Sequence, residues 1–147
     1  MEIALATDHA GYDLKETIKE NLKNRDMIIK DFGALKKDPS DDYPDFIIPA
    51  AKYVANNKNV KGIILGGSGQ GEAMAANRVK GIRAAVYYDG PKDIILLSRL
   101  HNDANILSLG ARFITSEKAI EVINIWLETS FEGDRHKRRI KKLDKNI

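Results

Sequence analysis

Cysteine is absent from this 147-residue chain. That excludes disulfides, zinc–thiolate centres and cysteine nucleophiles together, and it is compatible with a reducing cytosol. Long apolar runs are also missing, and none approaches the roughly 20 residues that a membrane-spanning helix needs. The opening MEIALATDHAG has no basic start and its apolar stretch breaks at Asp8, so no secretory leader is expected. The expectation is a soluble cytoplasmic protein that meets no membrane. With no repeat, low-complexity tract or interdomain linker, residues 1–147 read as one domain. Aromatic residues are few, and none lies in the basic stretch from Asp134 onward, which argues against stacking on single-stranded nucleic acid.

Hydrophobic residues at 43% and charged residues at 31% give an ordinary globular balance, and a chain of this length can bury a core without metal or disulfides. The formal net charge of +3 is unevenly placed. Arg135, Lys137, Arg138, Arg139, Lys141, Lys142 and Lys145 stand against Asp134 and Asp144 at the carboxyl end, while the rest is slightly acidic. Such an end suits nucleic acid, an anionic small molecule or a merely solvated helix face.

Short apolar runs alternate with longer amphipathic stretches. Strands are expected over Glu2–Thr7, Met27–Phe32, Val60–Leu65, Ile82–Tyr88 and Ile106–Leu109. Helices are expected over Tyr12–Lys23, with Leu14, Ile18 and Leu22 in register, and from Tyr43 to about Asn56, with Pro44 in the first turn. Further helices are expected over about Glu72–Val79 and Lys92–Leu100, after Ser116 as N-cap, and in the basic carboxyl end. Lys36–Asp42 reads as loop. The alternation implies a Rossmann-like α/β/α three-layer fold, a five-stranded parallel sheet with an extra carboxyl-terminal helix. Ligands in such folds bind beyond the carboxyl ends of the strands.

Asp8-His9 follows the first strand, where Asp8 could equally be a helix cap. Gly66-Gly67-Ser68-Gly69-Gln70-Gly71-Glu72 follows the third. Four glycines in six residues exceed what a tight turn needs, and they let backbone N–H groups approach an anion at a helix start. This is not a Walker loop, because Glu72-Ala73 stands where Lys-Ser/Thr would, and the dinucleotide fingerprint fits only loosely. Glu72 in a first helical turn normally complements the dipole, yet at the edge of this loop it could take a proton beside a carbonyl. The dipole is expected to keep it ionised at some cost in basicity. His101 and Asn102 precede the fifth strand and read either as donor groups or as an exposed turn. Arg112 follows it, and Arg135 and Arg139 lie four apart on one helix face, as a phosphate clamp would require. A base candidate, two histidines, a glycine loop and arginines are what proton transfer on a phosphorylated polyol needs.

DHAG at 8–11, DYPDF at 42–46, GGSGQGE at 66–72, AANRVKGIRAA at 75–85, SRLHNDANILSLGAR at 98–112 and EGDRHKRRI at 132–140 occur in one register. Together they resemble the type B ribose-5-phosphate isomerases, and the related galactose-6-phosphate isomerase subunits share much of the pattern. The resemblance implies aldose–ketose isomerisation of a phosphorylated sugar through an enediol, without metal or cofactor. Many members carry a cysteine base where this chain has Gly66; a second branch, with GGSGxGE, uses the glutamate. By that resemblance Glu72 is the base and His101 the proton donor. Asp8, His9, Gly67, Ser68, Gly69, Gln70, Gly71, Asn102, Arg112, Arg135 and Arg139 bind substrate. A homodimer or homotetramer with sites between subunits is implied, and nucleic acid is not. The segment Tyr87–Lys92 departs from the family pattern and bears on the preferred sugar. A six-carbon sugar-phosphate isomerase and a non-catalytic phosphate- or nucleotide-binding module are the alternatives.

Overall fold

The structure is a computed structural model and describes residues 1–147. Five strands, β1 (Glu2–Thr7), β2 (Ile28–Asp31), β3 (Val60–Gly66), β4 (Ala84–Tyr87) and β5 (Ile106–Gly110), form one parallel sheet in the order β2-β1-β3-β5-β4. Six helices accompany them: α1 (Tyr12–Lys23), α2 (Pro44–Asn56), α3 (Gln70–Asn77), α4 (Asp93–Leu100), α5 (Ser116–Glu128) and α6 (Arg135–Ile140). This is the expected Rossmann-like α/β architecture.

The central strands are apolar on both faces because both are covered. Ile3, Leu5, Ile63, Leu65, Leu107 and Leu109 point towards α1, α4 and α5, where Ile18, Leu22, Ile95, Val122 and Trp126 meet them. Trp126 is fully buried in this layer. Ala4, Ala6, Ile64 and Ile106 face α2 and α3 across Ala50, Ala51, Ala75 and Ala76. Those small side chains let the second helical layer approach the sheet closely.

Crossovers that step one way along the sheet use the α1/α4 layer, and those that step the other way use α2/α3. A single crossover hand demands this. The winding reverses between β1 and β3, so the segments after these strands diverge and leave a crevice.

Several boundaries shift by one or two residues from the sequence reading. Thr115, not Ser116, caps α5, its hydroxyl accepting from the Lys118 N–H at 3.1 Å. The helix after the glycine loop starts at Gln70, ahead of the expected Glu72. β4 starts at Ala84 rather than Ile82, because Ile82 is held in a turn by its N–H to the Val79 carbonyl at 3.1 Å. No helix is long and apolar enough to cross a membrane.

Candidate active site

The glycine loop is tied down by the strand beside it. Beyond the last sheet pair, Gly66 with Gly110, the Ala111 N–H donates to the Gly66 carbonyl at 2.8 Å and the Arg112 N–H to that of Gly67 at 3.1 Å. Ser108, buried on β5, donates its hydroxyl to the Gly69 carbonyl at 2.6 Å. Gly69 sits at φ 78°, where a side chain is strained, and a Cβ there would meet the Leu109 carbonyl carbon at 2.9 Å. The Gln70 N–H donates to the Ser68 hydroxyl oxygen at 3.3 Å. Gly71 follows within the first turn of α3, whose N–H groups lack intrahelical partners. A rigid concave strip of amide donors results.

Glu72 lies beneath that strip, only 4% exposed. A Cβ built on Gly66 would fall 1.8 Å from Glu72 Oε1 and 2.0 Å from its carboxyl carbon. The carboxylate therefore occupies the volume that any side chain at 66 would fill. Burial pushes its pKa up and the charge of Asp8 adds to this, while its own backbone N–H opposes. The expectation of a dipole-depressed acid is thus overturned: loss of solvent around the charged form outweighs the helix terminus.

Asp8 is buried and caps the short 3-10 turn at His9–Gly11, its Oδ1 accepting from the Ala10 N–H at 2.9 Å. Capping and proximity to Glu72 are both true of it. His9 is half-buried, and both its Nδ1, at 2.7 Å, and its backbone N–H, at 3.1 Å, bond Asp41 Oδ1. Arg112 is exposed with its guanidinium against Gly67, where a Cβ would lie 2.9 Å away. Tyr43 packs its ring on Gly71, leaving 2.8 Å for a Cβ there. Tyr88, in the segment that departs from the family pattern, lies against Gly110 beside the Ser68 carbonyl and packs on Phe113 at 5.7 Å between ring centres.

His101 and Asn102 are not part of this group within one chain. Helix α4 leaves the carboxyl end of β4 and runs back along the sheet, so the turn after it lies at the amino ends of the strands. There the Gly62 N–H, near the start of β3, donates to the Asn105 carbonyl at 2.9 Å. β5 is five residues long and separates the two ends by roughly 15 Å. Arg135 and Arg139 belong with His101, not with Glu72. The Glu132 N–H donates to the Leu100 carbonyl at 3.0 Å and brings α6 beside the end of α4. His136 is buried and stacks on the His101 ring, centres 4.1 Å apart and planes 14° from parallel. Glu132 Oε2 lies 3.7 Å from His101 Nε2. Burial first, then Arg135 and His101, pulls the His136 pKa down.

The sequence-derived residues therefore form two half-sites. Asp8, His9, Gly67–Gly71, Glu72 and Arg112 stand at the carboxyl end of the sheet; His101, Asn102, Arg135 and Arg139 stand at the amino end. Asp41, Tyr43, Ser108, Glu132 and His136 escaped the sequence reading. Asp41 lies 32 positions from its partner His9 in a stretch read only as loop. His136, an imidazole inside a cationic run, was the one local signal. Two triplets, Asp8/His9/Asp41 and His101/Glu132/His136, each gather possible metal ligands within 4.8 Å. In the first, one Asp41 oxygen already accepts from His9 Nδ1 and the His9 backbone N–H, and in the second the two imidazole rings stack on each other. Neither is assigned to a metal.

The largest concavity, about 540 Å³, is not at Glu72 but at the amino ends, lined among others by Ile82, Ala84, Leu97, Asn102, Leu143 and Ile147. Its exposed rim of Ile94, Leu97, Leu143 and Ile147 is apolar.

The family model described as Ribose/Galactose Isomerase matches residues 3–143. The chain is 39% identical to a probable ribose-5-phosphate isomerase B of Mycoplasma pneumoniae, covering 96% of this chain and 91% of the relative. It is 40% identical to the ribose-5-phosphate isomerase B of Mycobacterium tuberculosis, covering 95% and 86% respectively. It superposes on the ribose-5-phosphate isomerase B of Mycoplasma genitalium with bound ribulose-5-phosphate at a TM-score of 0.93, with 40% identity and 99% and 95% coverage. With the fold, the glycine loop and these matches spanning nearly the whole chain, the protein belongs to the ribose/galactose isomerase family.

Proposed function

We propose that this chain interconverts ribose 5-phosphate and ribulose 5-phosphate through an enediolate, with Glu72 as base and His101 of a second copy as acid. The observation that carries the base is the buried Glu72 carboxylate in the space vacated by a side chain at Gly66. Glu72 takes the C2 proton of the open-chain aldose, and the electron pair moves to the C1 carbonyl oxygen. The amides of Gly67–Gly71 and the Ser68 hydroxyl meet the negative oxygen. The proton returns to C1 as the C2 hydroxyl becomes the carbonyl, and the proton that hydroxyl loses replaces the one His101 of the second copy has given to the C1 oxygen. A carboxyl with a raised pKa suits a base that must give its proton back.

A homodimer supports this chemistry where one chain does not. The two half-sites carry complementary equipment, and the apolar rim of Ile94, Leu97, Leu143 and Ile147 adjoins Asn102. His9 and Arg112 from one copy with Arg135 and Arg139 from the other give the substrate phosphate four cationic or hydrogen-bonding partners.

Steady-state turnover tests the reading, with ribose 5-phosphate beside galactose 6-phosphate and allose 6-phosphate. The expected result is turnover of the pentose with the highest kcat/KM of the three. Inertness towards all three would overturn the assignment as an isomerase.

Gly66→Ala tests the placement of the base separately. The added methyl would displace the Glu72 carboxylate, and a displacement of about 1 Å is expected to cost about a hundredfold in kcat. Circular dichroism should show the fold kept; an unchanged kcat would mean that Glu72 does not act from this position.

A further inference from the structure

The structure assigns Asp41 as a positioning residue: it grips His9 by ring Nδ1 and by backbone N–H, leaving Nε2 as the nitrogen offered to the substrate phosphate. The inference rests on the isomerase reading for the identity of the substrate, but not for the chemistry of the anion.

Three observations carry it. The ring Nδ1 and the backbone N–H of His9 converge on one oxygen, Asp41 Oδ1, which fixes the ring and its tautomer. The Asp41 side chain is 9% exposed and its Oδ2 is buried without a partner, so the carboxylate serves no wider network and half its hydrogen-bonding capacity goes unused. The loop that carries Asp41 is anchored independently at its start. Buried Lys15 binds Asp31 at 2.7 Å and the Ala34 carbonyl at 2.8 Å; beside the end of β1 the Thr7 N–H donates to the Gly33 carbonyl at 2.7 Å and the Ala34 N–H to the Thr7 carbonyl at 2.6 Å. The grip on His9 is therefore not needed to place residues 31–34.

The charges around His9 agree with an anion-binding role. The hydrogen bond to Asp41 raises its pKa most, burial opposes this, Asp8 and Asp41 add to the rise through their charge, and Arg112 lowers it. Asp38 also lies within electrostatic reach. The Asp41 carboxylate thus favours the imidazolium despite a neighbouring guanidinium, and two cationic groups face the open end of the glycine loop. A substrate dianion gains from that cation below the His9 pKa and loses it above.

NMR titration tests this directly, because the chain has three histidines and His9→Gln assigns the resonance. Wild-type His9 is expected to titrate above about 6.5, the ordinary imidazole value, and to move back towards it in Asp41→Asn and Asp41→Ala. Inorganic phosphate should shift the His9 resonance in wild type and bind about tenfold more weakly to Asp41→Ala at pH 7.5. The KM for ribose 5-phosphate should rise in parallel, with kcat within about twofold. In a His9→Gln background Asp41→Ala should add less than about twofold. An unmoved His9 titration, or an Asp41 effect that persists in full without His9, overturns the proposal. If the protein binds phosphate with these shifts but turns over no pentose phosphate, the isomerase reading fails and the Asp41 assignment stands.

Discussion

Glu72→Gln should lower kcat for ribose 5-phosphate by about a thousandfold while KM changes little, within the range found when a general base is removed. Glutamine preserves the shape of the carboxylate and fits the space beside Gly66, so binding by the loop amides survives and only proton abstraction is lost. The same substitution should raise the melting temperature. Burial holds the Glu72 pKa above its ordinary value, so the folded state binds this proton more tightly than the unfolded chain does. Its contribution to stability then improves as pH falls through the carboxyl range and is unfavourable at neutral pH, where the carboxylate is ionised without solvent. Gln removes that charge. In wild type, kcat/KM should rise with pH through an inflection above the usual glutamate range, as Glu72 loses its proton. An inflection at or below that range, or a Glu72→Gln variant with near-normal kcat, would remove Glu72 from the role of base.

The second expectation concerns assembly. Glu72→Gln and His101→Asn, each nearly inactive alone, should complement when unfolded together and refolded. If each site takes Glu72 from one copy and His101 from the other, a mixed dimer holds one doubly altered site and one intact site. Random pairing makes half the dimers mixed, so recovery to about one quarter of wild-type activity is expected. A site built within one chain gives no recovery at all, since every site then carries a lesion. The separation of the half-sites, with β5 running between His101 and the end of the glycine loop, is the physical reason to expect the first outcome. Size-exclusion chromatography with light scattering of the same mixture shows whether mixed dimers formed.

The fold was legible because its information is local. Continuous apolar runs such as Ile63-Ile64-Leu65 mark strands covered on both faces, and the spacing of Leu14, Ile18 and Leu22 marks a helix with one buried side. Their alternation leaves the parallel three-layer sheet as the economical arrangement. Boundaries were less legible. Whether Thr115 or Ser116 caps α5 depends on which hydroxyl reaches the Lys118 N–H, and both residues are good caps.

By itself the sequence determined the layer architecture and the chemical inventory: no thiol, a glycine strip before a helix, one glutamate in its first turn, three histidines and a basic carboxyl end. Composition and periodicity carry such facts because they need no knowledge of distant neighbours. Only the tertiary structure decided which of these groups meet. It put Glu72 in the empty volume at Gly66, joined His9 to Asp41 across 32 positions, and laid His136 on His101. It also carried His101 to the far end of the sheet from Glu72, because a helix that crosses between parallel strands must run back antiparallel to them. Contacts of that kind depend on strand order and crossover direction, which no local pattern encodes.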